Sequence, residues 1–357
     1  MILVLNCGSQ SIKYKIFQYS KSKLSVLDSF SISIKNPKKY KETLLKVLEK
    51  IPQKSQIEII GHRVVHGGNY FFEPTQITDN VLQKLDEISP FAPLHNPFNI
   101  AAIKICQKIF PMVKNFAFFD TGFFKDLPEV AKTYPLPKNI IKEFNFQRFG
   151  FHGLSHEYVA FEASKKLKKS LFKLNLITCH LGGGGSICAI KNGKPIDISM
   201  GFTPLEGIMM MTRSGDIDPG IVIALSKKYG ANKTEEILNK KSGIVALCGS
   251  NSMLDVLKKI ENGDETAKLA FDIYVYRIKK YIGAYFAILG SRVDALVFTG
   301  QIGAGKSQTR KAICRNLNFL KGVKIFTIPT DEERMIAMKL LETLNVEADK
   351  RHKRPLK

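Results

Sequence analysis

Two arginines are the first residues in this chain whose type and setting suggest chemistry. Arg63 follows Gly61-His62, and Arg213 stands in Met211-Thr212-Arg213-Ser214-Gly215-Asp216. Both read as loop residues, and a guanidinium held there by backbone suits bidentate capture of a carboxylate or phosphate. The alternative is a loop-bracing ion pair, for instance Arg213 with Asp216 or Asp218. Six of the seven histidines (His62, His66, His95, His152, His156 and His180) lie near glycine, proline or arginine. Such positions suit hydrogen-bonding or charge-stabilising imidazoles in a polar cleft, or simply satisfied structural ones. His152 and His156 have the i, i+4 spacing of a helical zinc pair. The glutamate of H-E-x-x-H is missing between them, however, and Gly153 interrupts the helix, so zinc is not expected.

Glycine turns supply a second kind of chemistry. The run Asn6-Cys7-Gly8-Ser9-Gln10-Ser11 follows an apolar run at 2–5, and His180-Leu181-Gly182-Gly183-Gly184-Gly185-Ser186 follows another at 176–179. Backbone N–H groups of such turns bind phosphate oxygens without side-chain charge. Each turn alone is also what an ordinary hairpin looks like. Together they suggest a clamp on one nucleotide. A third stretch, Gly300-Gln301-Ile302-Gly303-Ala304-Gly305-Lys306-Ser307, matches the P-loop pattern G-x-x-x-x-G-K-[ST] at every fixed position. Only 50 residues follow Ser307, with one further strand at 323–328, which leaves little room for a P-loop sheet and its second acid. A P-loop NTPase is therefore the runner-up among catalytic readings.

These residues need elements to hold them. Strands are expected at 2–5, 12–17, 57–65, 116–119, 176–179, 187–190, 295–299 and 323–328, and Asn192-Gly193 signals a type I′ hairpin. Helical periodicity covers 41–50, 99–109 and 265–289. A last helix at 332–344 reads as opened by a capping box, Thr330 as N-cap and Glu333 at the third position. Strands alternating with helices predict an α/β protein. The two strand–glycine turn–strand units, half a chain apart, predict two similar lobes.

Composition bounds the class. A length of 357 residues exceeds one compact core, while 44% hydrophobic and 24% charged residues suit a folded globular chain. No run approaches the roughly 20 apolar residues of a membrane span, and no signal peptide is read at the start. The expectation is a cytoplasmic protein without a membrane partner. The six cysteines are scattered without a C-x-x-C pair, so reduced, mostly buried thiols are expected. Net charge is +22, but the cations are dispersed except in the tail Lys350-Arg351-His352-Lys353-Arg354. That pattern is a solvated surface that attracts anionic ligands such as nucleotides, and nucleic acid is not expected as a partner.

Taken in order, the short blocks resemble the acetate kinase family of the sugar-kinase and actin superfamily. They are Leu3-Val4-Leu5-Asn6-Cys7-Gly8-Ser9-Gln10-Ser11-Ile12-Lys13, Gly61-His62-Arg63-Val64-Val65-His66-Gly67-Gly68, Ala92-Pro93-Leu94-His95-Asn96-Pro97, Phe119-Asp120-Thr121, Arg148-Phe149-Gly150-Phe151-His152-Gly153 and Thr178-Cys179-His180-Leu181-Gly182. Ser199-Met200-Gly201-Phe202-Thr203-Pro204-Leu205-Glu206-Gly207 and Arg213-Ser214-Gly215-Asp216-Ile217-Asp218-Pro219 continue the match, which spans nearly the whole chain.

The resemblance implies an α/β, two-lobed duplicated actin-like ATPase (ribonuclease H-like) fold with an interlobe cleft. Residues 1–123 with 332–357 would form the acyl-side lobe, and 124–331 the nucleotide side. It implies Mg²⁺-dependent transfer (Mn²⁺ could substitute) of the ATP γ-phosphoryl group to acetate, with propionate the next acceptor. It also implies a homodimer. Asn6 and Glu332 would place the metal and Arg63 would hold the substrate carboxylate. Asp120 would be the acid/base or metal-orienting carboxylate, and His152 and Arg213 would stabilise the transferring phosphoryl group. Lys13, His180, Leu181, Gly182, Gly183 and Gly184, with Gln301, Ile302, Gly303, Ala304 and Gly305, would line the nucleotide. Departures from the family pattern fall mainly on the nucleotide side. Gly183 replaces an asparagine, the 300–305 turn loses its Glu-Asn, and Ser252-Met253-Leu254 stands for a charged Asp-Met-Arg, while Phe124 replaces a histidine elsewhere. A degenerate, non-catalytic kinase is the alternative these changes motivate.

Overall fold

The structure, a computed structural model, describes residues 1–352 apart from Gln10, Lys21, Ser22, Lys35 and Leu94. Gln10 of the first glycine turn, Leu94 of the Ala92–Pro97 block and the side chains of the basic tail at 350–354 therefore lie outside the described residues. The chain divides into two compact units, Met1–Lys125 with the chain from Asp331 onward, and Asp126–Thr330.

In the first unit the strands are β1 (Ile2–Gly8), β2 (Ser11–Ser20), β3 (Lys23–Ser33), β4 (Ile59–Val64), β5 (Thr75–Gln76) and β6 (Lys114–Phe119). Among the described residues they form a six-stranded sheet ordered β3-β2-β1-β4-β6-β5. β1 runs antiparallel to β2 and parallel to β4, and β4 runs parallel to β6. That central place explains the unbroken apolar run Ile2-Leu3-Val4-Leu5: helices cover both faces, so alternation is absent. On one face lie α1 (Tyr40–Glu49) and α3 (Asn96–Ile109), with Tyr40, Leu44, Leu48 and Cys106 in one cluster with Leu3, Leu5 and Ile16. α2 (Asp79–Glu87) joins Leu82 and Leu85 to Val64, Ile103 and Phe119 in a second.

The second unit opens with α4 (Glu129–Lys132), α5 (Lys138–Phe144) and α6 (Gly153–Leu167). The hairpin strands β7 (Asn175–Leu181), β8 (Gly185–Lys191) and β9 (Lys194–Ile198) follow. Asn192 and Gly193 both take positive φ, 52° and 77°, as the expected turn type requires. Next come α7 (Pro219–Tyr229), α8 (Ala231–Lys240), α9 (Ile244–Cys248), α10 (Met253–Glu261) and α11 (Glu265–Ile288). After them lie β10 (Ala295–Thr299), α12 (Gly300–Gly303), α13 (Ser307–Cys314) and β11 (Lys324–Thr327). α11 is capped by Asp264, whose carboxylate accepts from Ala267 N at 3.0 Å. It buries Ala267, Ala270, Phe271, Tyr274, Ile278, Ile282 and Tyr285, the three-and-four spacing of one helix face.

The second sheet is ordered β11-β10-β7-β8-β9. From β9 to β11 it repeats the order and strand directions of β3, β2, β1, β4 and β6. The fold is thus an α/β duplication, as the two glycine-turn units suggested.

The last helix, α14 (Glu332–His352), returns to the first unit and runs further than the expected 344. Its cap also differs from the expectation. Asp331, not Thr330, caps it, accepting from Arg334 N at 2.9 Å, while the Thr330 hydroxyl is buried without a partner among the described residues. Glu333 is drawn away to Asn6, so the reciprocal half of a capping box does not form. Gly61 makes the docking possible. A Cβ there would come within 2.5 Å of Ile336 and 2.9 Å of Leu340.

Candidate active site

In the first unit the polar residues gather at the carboxyl ends of parallel strands, the general location of sites in such sheets. Arg63 is a residue of β4, inside the strand expected at 57–65 and not in a loop as its glycine-histidine setting suggested, because β4 runs between β1 and β6. Asp120 follows β6 directly. Arg63 donates to it through Nε (3.0 Å to Oδ1) and Nη2 (2.6 Å to Oδ2), a fork on a carboxylate that is 1% exposed. Nη1 reaches Asn6 Oδ1 at 3.2 Å, and Asn6 Nδ2 donates to Glu333 Oε1 at 2.7 Å. Lys15 extends this chain of contacts, 2.7 Å from Asp331 and 3.7 Å from Glu333. Glu332 is buried close by. Burial pushes the Asp120 carboxyl up from its ordinary value, Arg63 pulls against it, and Glu332 adds to the rise. Glu333 and Lys15 were not singled out from sequence. Glu333 was legible only as a capping residue, since its partner lies 327 positions away.

Lys13 also lies in this unit, paired in register with Asn6 across β2 and β1. The remaining residues expected at the nucleotide are in the second unit.

There, His152 stands at the N-terminus of α6 in the left-handed region (φ 60°). Its Nδ1 is 2.9 Å from Ser186 Oγ, and its ring stacks on His180 at 4.3 Å. His156 shares the same serine through Nε2 at 2.8 Å and meets Thr178 Oγ1 through Nδ1 at 2.7 Å. Burial, reinforced by His180, pushes His156 well below its usual pKa. It is therefore a neutral structural partner that orients Ser186, while Ser155 Oγ holds His180 Nδ1 at 2.7 Å. Thr178 was visible only through its place in a block and Ser186 only as the end of the glycine turn, while Ser155 gave no signal in the sequence.

Arg213 is paired with neither of its candidate aspartates. Asp216 accepts from Gly207 N (2.8 Å) and Tyr281 Oη (2.7 Å), and Asp218 caps α7 through Gly220 N (2.6 Å). Arg213 Nη1 has only the Pro204 carbonyl at 3.4 Å and Met210 Sδ at 3.7 Å. No carboxylate pairs with it among the described residues, and burial pulls its pKa down. A Cβ on Gly184 would lie 3.3 Å from Arg213 Nη1 and 3.7 Å from the His152 ring, so the glycine turn, the guanidinium and the imidazole converge. A half-buried cation without a counter-ion among the described residues, beside a glycine turn, is suited to receive an anion.

The P-loop-like stretch does not form a phosphate cradle. Gly300–Gly303 is a helical turn, and the carbonyls of Gly303 and Gly305 are drawn to Arg310 Nη1 at 2.9 and 2.7 Å. A pocket of about 410 Å³ opens beside it, lined by Gly183, Gln301, Ile302 and Lys306 among others. Of the expected nucleotide residues, Gly183, Gln301 and Ile302 line it. Leu181 is fully buried, and Gly303 packs on Leu181 and the Cys179 carbonyl.

A duplicated α/β sheet with cations, amides and carboxylates at the carboxyl ends of its parallel strands defines the actin-like class of phosphotransferases. Within that class the chain belongs to the acetokinase family, phosphotransferases whose acceptor is a carboxyl group, and the family's model matches residues 1–339. It is 43% identical over 346 residues to an acetate kinase of Sulfurovum sp., covering 90% of this chain and 87% of the relative. The crystal structure of Porphyromonas gingivalis acetate kinase superposes with a TM-score of 0.85 at 37% identity, covering 96% of this chain and 99% of that one. A propionate kinase from Francisella tularensis gives 0.83 at 36% identity over 95% and 98%. No described helix is long and apolar enough to cross a membrane.

Proposed function

We propose that this protein is an acetate kinase: it transfers the γ-phosphoryl group of ATP to acetate, reversibly, giving acetyl phosphate and ADP. One carboxylate oxygen forms the new P–O bond as the bond to the ADP leaving oxygen breaks. The observation that carries this reading is Arg213, a half-buried guanidinium with no carboxylate partner among the described residues, set against His152 and Gly184. Its charge is available to the equatorial oxygens of a transferring phosphoryl group, and His152 adds a donor there. Arg63 would hold the acetate carboxylate, with Asp120 fixing the guanidinium plane. His180, Leu181, Gly182, Gly183 and Gly184 and the turn Gln301, Ile302, Gly303, Ala304 and Gly305 would form the nucleotide side, and the family resemblance assigns Lys13 to the nucleotide as well.

Magnesium fits the donor set of the first unit. Asn6, Asp120 and Glu332 offer hard oxygen atoms, and Mg²⁺ needs only one or two carboxylates when phosphates and water fill the rest. Asn6 and Glu332 would hold it, and the ion would neutralise charge on the phosphate oxygens. The resemblance to the Francisella propionate kinase favours propionate as a second acceptor, since one methylene is worth only about 1–3 kcal/mol of discrimination. Retention of Arg63, Asp120, His152 and Arg213 weighs against a degenerate kinase. We further propose a cytoplasmic homodimer joined through α7. That helix buries none of its residues although it carries Ile221 and Ile223, 49% and 55% exposed.

The test traps acyl phosphate with hydroxylamine, using MgATP and acetate, propionate or butyrate. Wild type should form hydroxamate, and Arg213→Ala should lower kcat about 10²–10³-fold. No product with any acid would overturn the kinase reading.

A further inference from the structure

The 410 Å³ pocket of the second unit holds a residue that the proposed reaction leaves without a role. Met211, Met253, Leu254, Leu257 and Ile302 give it an apolar lining suited to a heteroaromatic ring. Its polar lining consists of Asn251, Ser252, Gln301, Thr309 and Lys306. The amides and hydroxyls can each donate or accept, so they adapt to either edge of a base. Lys306 cannot, because an ammonium donates only. No carboxylate lines the pocket to act as a fixed acceptor, and Lys306 has no ion-pair partner among the described residues. Gly183 and Met211, linked by the hydrogen bond from Met211 N to Gly183 O (3.2 Å), tie the pocket to the turn beside Arg213 and His152. On the kinase reading the phosphate end of a nucleotide would lie at that turn and the nucleoside in the pocket.

We propose that Lys306 is a base-selecting residue, favouring 6-oxopurine nucleotides over adenine nucleotides as phosphoryl donors. A 6-oxopurine presents two adjacent acceptors, O6 and N7, to an ammonium, whereas adenine sets an amino donor beside N7. The neutral groups leave that bias uncorrected, so specificity follows from the one side chain whose polarity cannot invert. The inference rests on the kinase reading and gives the P-loop-like string a use without a P-loop.

The experiment compares kcat/KM for MgGTP and MgATP with saturating acetate in wild type, Lys306→Ala and, as a charge-matched control outside the pocket, Lys311→Ala. Wild type should use GTP at least as well as ATP. Lys306→Ala should shift the GTP:ATP ratio toward ATP about three- to tenfold, the effect of one charged hydrogen bond near solvent, with the change in KM and not in kcat. Lys311→Ala should leave the ratio unmoved. A ratio that is the same in Lys306→Ala and wild type overturns the inference while the kinase reading stands. Absence of turnover with either nucleotide overturns that reading instead. Calorimetric binding of GDP and ADP to each variant reads the same ratio without turnover, and equal losses for the two again overturn the inference.

Discussion

Arg63 and Arg213 are both half-buried guanidiniums, but one has a counter-ion and the other does not. Arg63 loses hydration and recovers it from a forked pair with Asp120. Arg213 recovers little, having only a long carbonyl contact and a thioether. Removing them should therefore move stability in opposite directions. Arg63→Met strands the Asp120 carboxylate and should cost about 3 kcal/mol or more. Arg213→Met relieves an uncompensated burial and should leave the melting temperature unchanged or raised, even as activity collapses. Thermal melts of the two purified variants check this, and a fall for Arg213→Met as large as that for Arg63→Met would mean that Arg213 braces structure. Neither behaviour was legible from the residues themselves. The sequence offered each arginine the same two readings, and only the positions of Asp120, Asp216 and Asp218 separate them.

At the scale of the element, the loop carrying Arg213 is shaped by backbone that few residues can adopt. Gly207 has φ 110°, and a Cβ there would lie 2.6 Å from the Ser199 carbonyl oxygen. Asp216 ties both ends, its N donating to Gly207 O and its carboxylate accepting from Gly207 N, each at 2.8 Å. Gly207→Ala should cost about 1–3 kcal/mol of stability from strain and lower kcat by displacing Arg213. Denaturant titration and the hydroxamate assay read the two effects, and full activity would show that the loop tolerates the shift.

Strand β4 carries a pH-dependent element. His62 is buried, hydrogen-bonded to Asn115 at 2.7 Å, and burial pushes its pKa down to about 4 against that bond. The unfolded chain takes up the proton near the ordinary value of about 6.5, so the unfolded state binds more protons between the two. Stability present above pH 6.5 is therefore lost as pH falls toward 4, by up to about 3 kcal/mol from this residue. His156 acts in the same direction. Melting temperature followed from pH 7 to 4 should fall steeply, and His62→Gln should flatten the slope. A slope unchanged by the substitution would assign the loss elsewhere.

At the scale of the molecule, the chain leaves its first unit after Lys125 and returns to it at Asp331. The return brings Glu333 to Asn6 and sets Ile336 and Leu340 over Gly61. Gly61→Val would push that helix off the sheet and should destabilise the protein by about 1–3 kcal/mol. It should also weaken metal-dependent activity by moving Glu332. A melt combined with a Mg²⁺ titration of activity checks both, and wild-type values in each would show that the helix seats independently of this contact.

Local signals in the sequence settled much of this protein. Most strand positions, the long helix at 265–289, the Asn192-Gly193 turn and the duplication were legible because periodicity and turn preference act over a few residues and are written where they act, whereas β3 was not expected. The ordered blocks were legible as a family pattern for the same reason. Tertiary structure alone decided that Arg63 pairs with Asp120, that Asp331 displaces Thr330 as the cap, and that Glu333 answers Asn6. It also decided that Lys306 faces a pocket and not a phosphate cradle. Each of those outcomes depends on partners brought together by chain return or strand order. A side chain's hydrogen bonds and desolvation are set by such neighbours in space, and spacing along the chain does not record them.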